Sequence, residues 1–245
     1  MRRHLAHGAL AGTAGGLAMA AVLAIAGEGP IGRAIAIEAE RQPTGGAAEM
    51  FGRGAQQAGG AAAAVLYGLA VGIVFSVVFA AVSRRLASGG DWRAAMGLAV
   101  TGLATVFVVP FLKYPANPPA VGNPSTIGRR TLLYVVLLAW SVVASWATWR
   151  AWRSMTAKAV PEHLRVPATA ATYLALVGAG FLALPASPDV IDVPATLVWQ
   201  FRLASLAGTS CLWLVTGTVF GWLRLREAAA PGVQTQAVRV GQDSR

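Results

Sequence analysis

The sequence predicts an all-α membrane protein, a bundle of about six transmembrane helices with both termini in the cytoplasm. Three observations predict it. The 245 residues are 56% apolar and only 12% charged, about half the charge of an ordinary soluble domain, so more apolar surface exists than one water-soluble core buries. Six long stretches lack Asp, Glu, Lys and Arg altogether. Basic residues fall in short clusters between those stretches rather than along one solvated face.

The stretches are Leu5–Ala26, Gly59–Val82, Ala94–Leu112, Thr131–Trp149, Val166–Ser187 and Leu203–Leu223. Each is close to the ~20 residues that cross ~30 Å of hydrocarbon at 1.5 Å per residue. Lipid offers no partner to a free N–H or C=O, so each is expected to be helical. The polar–apolar alternation of a membrane β-barrel is absent. Together they make one transmembrane domain over residues 1–226, followed by a polar, aperiodic tail, 227–245, expected to be disordered in the cytoplasm.

The first span opens on Arg2 and Arg3 and ends on Ala24-Ile25-Ala26, which resembles a signal-peptide cleavage site. Its apolar run is longer than a signal sequence needs, which favours a retained helix; cleavage would leave five spans and an outside N-terminus. The next segment, Gly27–Ala58, is the longest loop, with Ile31–Glu40 suited to a short interfacial helix and a Gly/Ala-rich second half expected to be partly disordered. The fifth span is the weakest, opening with Val166-Pro167 and closing with Leu184-Pro185, since prolines suit helix ends better than centres. Small residues recur four apart: Gly8, Gly12 and Gly16; Gly60, Ala64, Gly68 and Gly72; Gly217 and Gly221. That spacing puts them on single helix faces and lets backbones approach.

Orientation follows from the basic residues. With the N-terminus inside, the inner segments hold thirteen of the twenty: Arg2, Arg3, Arg84, Arg85, Arg93, Arg150, Arg153, Lys158, Arg165, Arg224, Arg226, Arg239 and Arg245. The outer loops hold the other seven, Arg33, Arg41, Arg53, Lys113, Arg129, Arg130 and Arg202. The excess favours cytoplasmic termini.

Several function classes are excluded. A net charge of +10 would suggest nucleic acid on a soluble protein, but these clusters sit between membrane spans, so no nucleic-acid partner is expected. The single cysteine, Cys211, allows neither an internal disulfide nor a four-cysteine zinc site. No GxxxxGK[ST], HExxH, GxSxG or CxxC occurs, so neither an enzyme nor a nucleotide-driven pump is expected. No formal charge lies in mid-span, which argues against a proton-coupled carrier built from this chain alone.

Candidate ligands remain. Soft donors that could line a path are Met19, Met96 and Cys211, each more often a packing residue. His4 and His7, three apart at the inner end of the first span, could face one ion, although two ligands are too few for a site. On the outer side Glu38, Glu40, Glu49, Asp189 and Asp192 could gather cations weakly. The outer loop after the third span is stiffened by Pro115, Pro118, Pro119 and Pro124 and carries Lys113, Tyr114, Asn117, Asn123, Arg129 and Arg130, with Arg202 in the last outer loop. Gly122-Asn123 offers a turn there, and Ser125-Thr126 can cap the fourth helix. The loop reads either as a vestibule or as a rigid connector.

These loops carry a resemblance. VVPFLKYPANPPAVGNPSTIGRRTLLY (Val108–Tyr134), LPASPDVIDVP (Leu184–Pro194), VWQFRLASL (Val198–Leu206), GPIGRAIAIE (Gly29–Glu38) and the opening LAHGALAGTAGGLA make the chain resemble the CbtA family of cobalt transporter subunits. The resemblance implies a multi-pass protein of the bacterial plasma membrane that moves Co²⁺ inward for cobalamin supply. A small single-span, His-bearing partner, CbtB, goes with it in some systems, and a homo-oligomer stays open. No permanently bound cofactor is expected; Co²⁺ is the cargo. Relatives commonly carry histidines in the first outer loop, whereas AIEAERQPTGGAAEMFGRGAQQAGG here has none, leaving Glu38, Glu40 and Glu49 as the donors. The rival reading is a non-transporting membrane scaffold whose loops bind a partner.

Overall fold

The computed structural model describes residues 2–41, 52–86, 90–119, 121–189 and 191–229. These residues fold into α1 (Arg2–Val22), a π turn (Leu23–Gly27), α2 (Glu28–Arg41), α3 (Arg53–Leu86), α4 (Gly90–Gly102), a second π turn (Leu103–Val108), α5 (Val109–Lys113), a 3-10 turn (Pro124–Thr126), α6 (Ile127–Ala157), α7 (Glu162–Ala183) and α8 (Ala195–Ala229). No strand occurs among the described residues. Six helical segments are long and apolar enough to cross a membrane: Arg2–Arg41, Arg53–Ser83, Gly90–Lys113, Pro124–Ala157, Glu162–Ala183 and Ala195–Ala229. The predicted class is therefore the observed one, a multi-pass α-helical membrane protein.

The boundaries differ from the sequence reading in instructive ways. The first helix does not stop at Ala26. It runs unbroken through α2 to Arg41, so the helix expected over Ile31–Glu40 is present, but as a continuation of the first helix rather than a separate piece within a loop. At 1.5 Å per residue this helix is about 60 Å long, about twice the hydrocarbon thickness. Pro30 lies inside it, just after the Leu23–Gly27 π turn, and Pro110 lies just after the Leu103–Val108 π turn. A proline crowds the carbonyl four residues back and cannot donate to it. Widening the preceding turn makes room, and the Val109 N–H accordingly bonds five residues back to the Ala104 carbonyl. α3 starts at Arg53, so residues 53–58 are helical where disorder was expected. α7 runs Glu162–Ala183, which leaves Pro167 in its second turn, where one early bond is lost, and Leu184-Pro185 extended. α8 begins at Ala195, which makes Arg202 a helix residue rather than a loop residue, and its last turn takes in Glu227. The rest of the tail lies outside the described residues.

The chain divides into two compact units. The first comprises Met1–Ala26, Ala47–Thr101 and Ala207–Arg245. Its main seam joins α1 and α3 through glycines. A Cβ added at Gly12 would lie 2.7 Å from the Gly72 Cα, and one added at Gly68 would lie 2.6 Å from the Gly16 Cα. Backbones touch along Gly8, Gly12 and Gly16 on one side and Ala64, Gly68 and Gly72 on the other, as the four-residue spacing predicts. Gly60, of the same series, faces open space. Lipid gives helices no hydrophobic reason to associate, so this close van der Waals approach supplies the attraction. α8 packs through Leu212 and Thr216 against Gly15, and through Gly217 and Gly221 against Ala99 and Trp92 of α4. Phe220 sits fully buried against Phe75 and Phe79, with ring centroids at 5.3 and 5.0 Å in edge-on arrangements.

The second unit comprises Gly27–Gly46 and Gly102–Leu206. Here α6 and α7 meet where Trp140 lies over Gly180 and its indole N–H donates to the Leu176 carbonyl at 2.8 Å. Thr105 and Ser145 share a hydrogen bond of 2.8 Å. Ala34, Val121 and Leu197 form a small buried cluster, flanked by Ile37 and Val193.

Candidate functional site

The Pro-rich segment of the second unit forms a cradle. Pro115 and Pro118 keep the chain out of helix after α5, Pro119 lies in a turn closed by the Val121 N–H on the Pro118 carbonyl at 3.2 Å, and Gly122 adopts φ 106°, a conformation open to glycine. A Cβ there would also lie 3.0 Å from both the Arg130 guanidinium and the Asp189 carboxylate. Asn123 then starts the 3-10 turn: its side-chain carbonyl accepts from the Ser125 N–H at 2.9 Å and from the Ser125 hydroxyl at 2.8 Å. Thr126 does not cap α6 through its side chain. Its hydroxyl lies 2.7 Å from the Asn123 carbonyl and 2.7 Å from Asp189 Oδ1, because Asp189 offers a charged acceptor.

The cradle encloses a cavity of about 510 Å³ walled by Tyr114, Asn117, Arg130, Tyr134, Asp189 and Arg202, among others. Arg130 donates to Asp189 Oδ2 at 2.6 Å, and the Asp189 side chain is only 1% exposed. Both of its oxygens are thus engaged, by Arg130 and by Thr126. Arg202 donates from Nε to the Ala116 carbonyl at 3.2 Å and from Nη2 to Asn117 Oδ1 at 3.0 Å. Both acceptors are neutral. Lys113 donates to the Phe181 carbonyl at 2.7 Å and lies near the Tyr114 and Phe181 rings. The Tyr114 hydroxyl donates to the Pro185 carbonyl at 2.7 Å, and burial raises its pKa, which keeps it a donor. Arg129 is exposed. The outer-loop residues singled out in the sequence thus divide: Lys113, Tyr114, Asn117, Asn123, Arg130 and Arg202 build the cradle, and Arg129 is exposed.

The remaining outer carboxylates are scattered. Asp192, 85% exposed, pairs with Arg41 at 3.3 Å. Glu38 lines a second cavity of about 380 Å³, which Arg41 and Arg130 also line. Glu40 is exposed, and Glu49 lies outside the described residues. Arginine is therefore the common neighbour of Asp189, Asp192 and Glu38.

In the first unit His4 and His7 lie one turn apart on α1. Both Nδ1 atoms are buried without a hydrogen-bond partner. Glu227 Oε2 stands 3.8 Å from His7 Nδ1, while Glu227 also meets Arg3 at 3.3 Å and Arg224 at 2.6 Å, and Arg224 meets Asp91 at 2.9 Å. Sequence reasoning missed Glu227 by assigning it to the tail; the Arg224–Glu227 spacing of three was the available signal. Met19 approaches Gly208 and Met96 approaches Gly217 of α8. Nine residues are two and a half turns, so the two methionines flank α8 on opposite faces rather than lining one route. Met96 Sδ accepts from the Thr218 hydroxyl at 3.4 Å, and Cys211 is a half-buried free thiol. No group of three or more His, Cys, Asp or Glu positioned to hold a metal occurs among the described residues.

Six apolar helices carrying a polar cradle between spans define a multi-pass membrane protein. The model of the family described as probable cobalt transporter subunit (CbtA) matches residues 1–224. The chain belongs to the CbtA family. A subunit implies a partner. No curated protein and no solved structure matches the chain.

Proposed function

We propose that this chain is the membrane-spanning subunit through which Co²⁺ enters a bacterial cell across the plasma membrane, working with a partner that completes the metal's donor set. The observation that carries the reading within the family is the His4–His7 pair, two imidazoles with buried Nδ1 atoms free of hydrogen bonds. Imidazole nitrogen suits Co²⁺ better than carboxylate does. Glu227, 3.8 Å from His7 Nδ1, is itself held by Arg3 and Arg224, so the further donors are left to the partner. With the orientation set by the basic residues, this pair stands at the cytoplasmic end of the first span, where an inward-moving ion is released. A single-span His-bearing chain of the CbtB type fits the partner's role, because the first outer segment of this chain lacks histidine.

The driving force requires no nucleotide. A dication moving inward through 100 mV gains about 4.6 kcal/mol, which concentrates it about a thousandfold. Cobalt accumulation at limiting external metal tests the proposal. Deleting the chain lowers accumulation, the wild-type chain restores it, and a chain with both His4→Ala and His7→Ala restores it poorly. Equal accumulation with and without the chain would refute it.

The scaffold reading has one observation in its favour: Asp189 and Asp192 serve arginines within the chain. It predicts stable partner capture with no metal flux.

A further inference from the structure

The cradle holds two guanidiniums and one carboxylate, and the carboxylate is spent. Asp189 gives one oxygen to Arg130 and the other to Thr126. Among the described residues the partners of Arg202 are the neutral Ala116 and Asn117 oxygens, and Arg130 Nε is buried with no acceptor among them. A desolvated guanidinium that lacks a counter-charge is costly, and a planar fork with unused N–H groups matches an oxyanion. The cavity is about 510 Å³, large enough for such a group. Arg202 also lines a neighbouring hollow with Trp199, which is 61% exposed, as an aromatic at a membrane interface would be.

From this geometry we infer that the cradle is an oxyanion site: a phosphate group docks on the Arg202 guanidinium in the cavity that Arg130 also lines. The same chemistry is offered by a lipid headgroup reaching Arg202 beside Trp199 and by a free anion entering the cavity. The inference is independent of the metal reading, since the site attracts the opposite charge.

The test uses the full-length protein in detergent and the arginine reagent phenylglyoxal, with modification of each arginine followed by mass spectrometry. One arm adds sodium phosphate against sodium chloride at equal ionic strength; the other adds short-chain phosphatidylglycerol. The expected result is that at least one arm slows Arg202 modification about tenfold, the scale of one charge-assisted bond, while exposed Arg129 reacts unchanged. Protection by phosphate alone assigns a soluble anion, by lipid alone a headgroup, and by both a shared site. No protection in either arm, equal protection of Arg129, or an Arg202 that resists the reagent without anion would each overturn the inference. Saturable thermal stabilisation by the protecting anion should be lost in Arg202→Gln and kept in Arg129→Gln, which removes an exposed arginine that does not line the cavity. If Arg129→Gln loses it as well, while remaining folded, the effect is one of net charge and the inference fails.

Discussion

The α1–α3 seam and the Pro-rich cradle are built on opposite principles. The seam has no side chains to speak of. Glycines let two backbones touch, and its specificity is steric, since the nearest neighbour of each glycine is main chain that cannot step aside, with the Ser76 side chain adding to it at Gly8. The cradle is held by side chains reaching across the sequence: Arg130 to Asp189, Arg202 to Asn117, Lys113 to Phe181. The difference teaches where each kind of damage falls. Adding volume breaks the seam, whereas removing a polar group breaks the cradle.

The largest effect should follow from adding volume. Gly72→Leu drives carbon into the α1 backbone, whose Gly12 Cα would lie 2.6 Å from even a Cβ; a loss of about 3 kcal/mol or more is expected, read as failure to recover folded protein in detergent. Gly60→Leu, in the same four-residue series but facing open space, should change the melting midpoint little. Equal damage at both positions would break the steric account of the seam.

Asp189→Asn comes next. It leaves Arg130 without its carboxylate in a site where Asp189 is 1% exposed, and about 2 to 3 kcal/mol of stability should go. The double variant Asp189→Asn with Arg130→Gln should lose less than the two singles added, and a thermal double-mutant cycle measures the coupling. Additive losses would mean that the pair is not a unit. Thr105→Val, which removes the bond to Ser145, should cost about 1 kcal/mol. Smallest is Asp192→Asn: its Arg41 partner is half exposed and Asp192 is 85% exposed, so a loss of no more than about 0.5 kcal/mol, vanishing at high salt, is expected.

Much of this was legible in the sequence. Six uncharged runs fixed the number of crossings, since backbone in lipid has no choice but helix. The glycine faces of α1 and α3 could be read from spacing alone. The unbroken passage from α1 into α2 could not. Pro30 and two glycines at Gly27 and Gly29 read as a break, and a π turn leaves no mark in a periodicity of 3.6. In the cradle, the prolines and the Gly122-Asn123 turn announced a stiff loop. Its chemistry stayed hidden, because Arg130 and Asp189 lie 59 residues apart and one sequence pairs nothing at that distance. Asp189 therefore read as a cation-gathering acid, and its place in the structure is as the counter-ion of an arginine.

The claim on which the functional account rests is that Co²⁺ crosses the membrane through this chain and its partner. Inside-negative membrane vesicles from cells that make the chain, compared with vesicles from a deletion strain, measure it most directly. The account predicts Co²⁺ influx that rises with the imposed potential, falls on deletion and returns when the chain is restored. Identical influx in both vesicle preparations at every potential would contradict it.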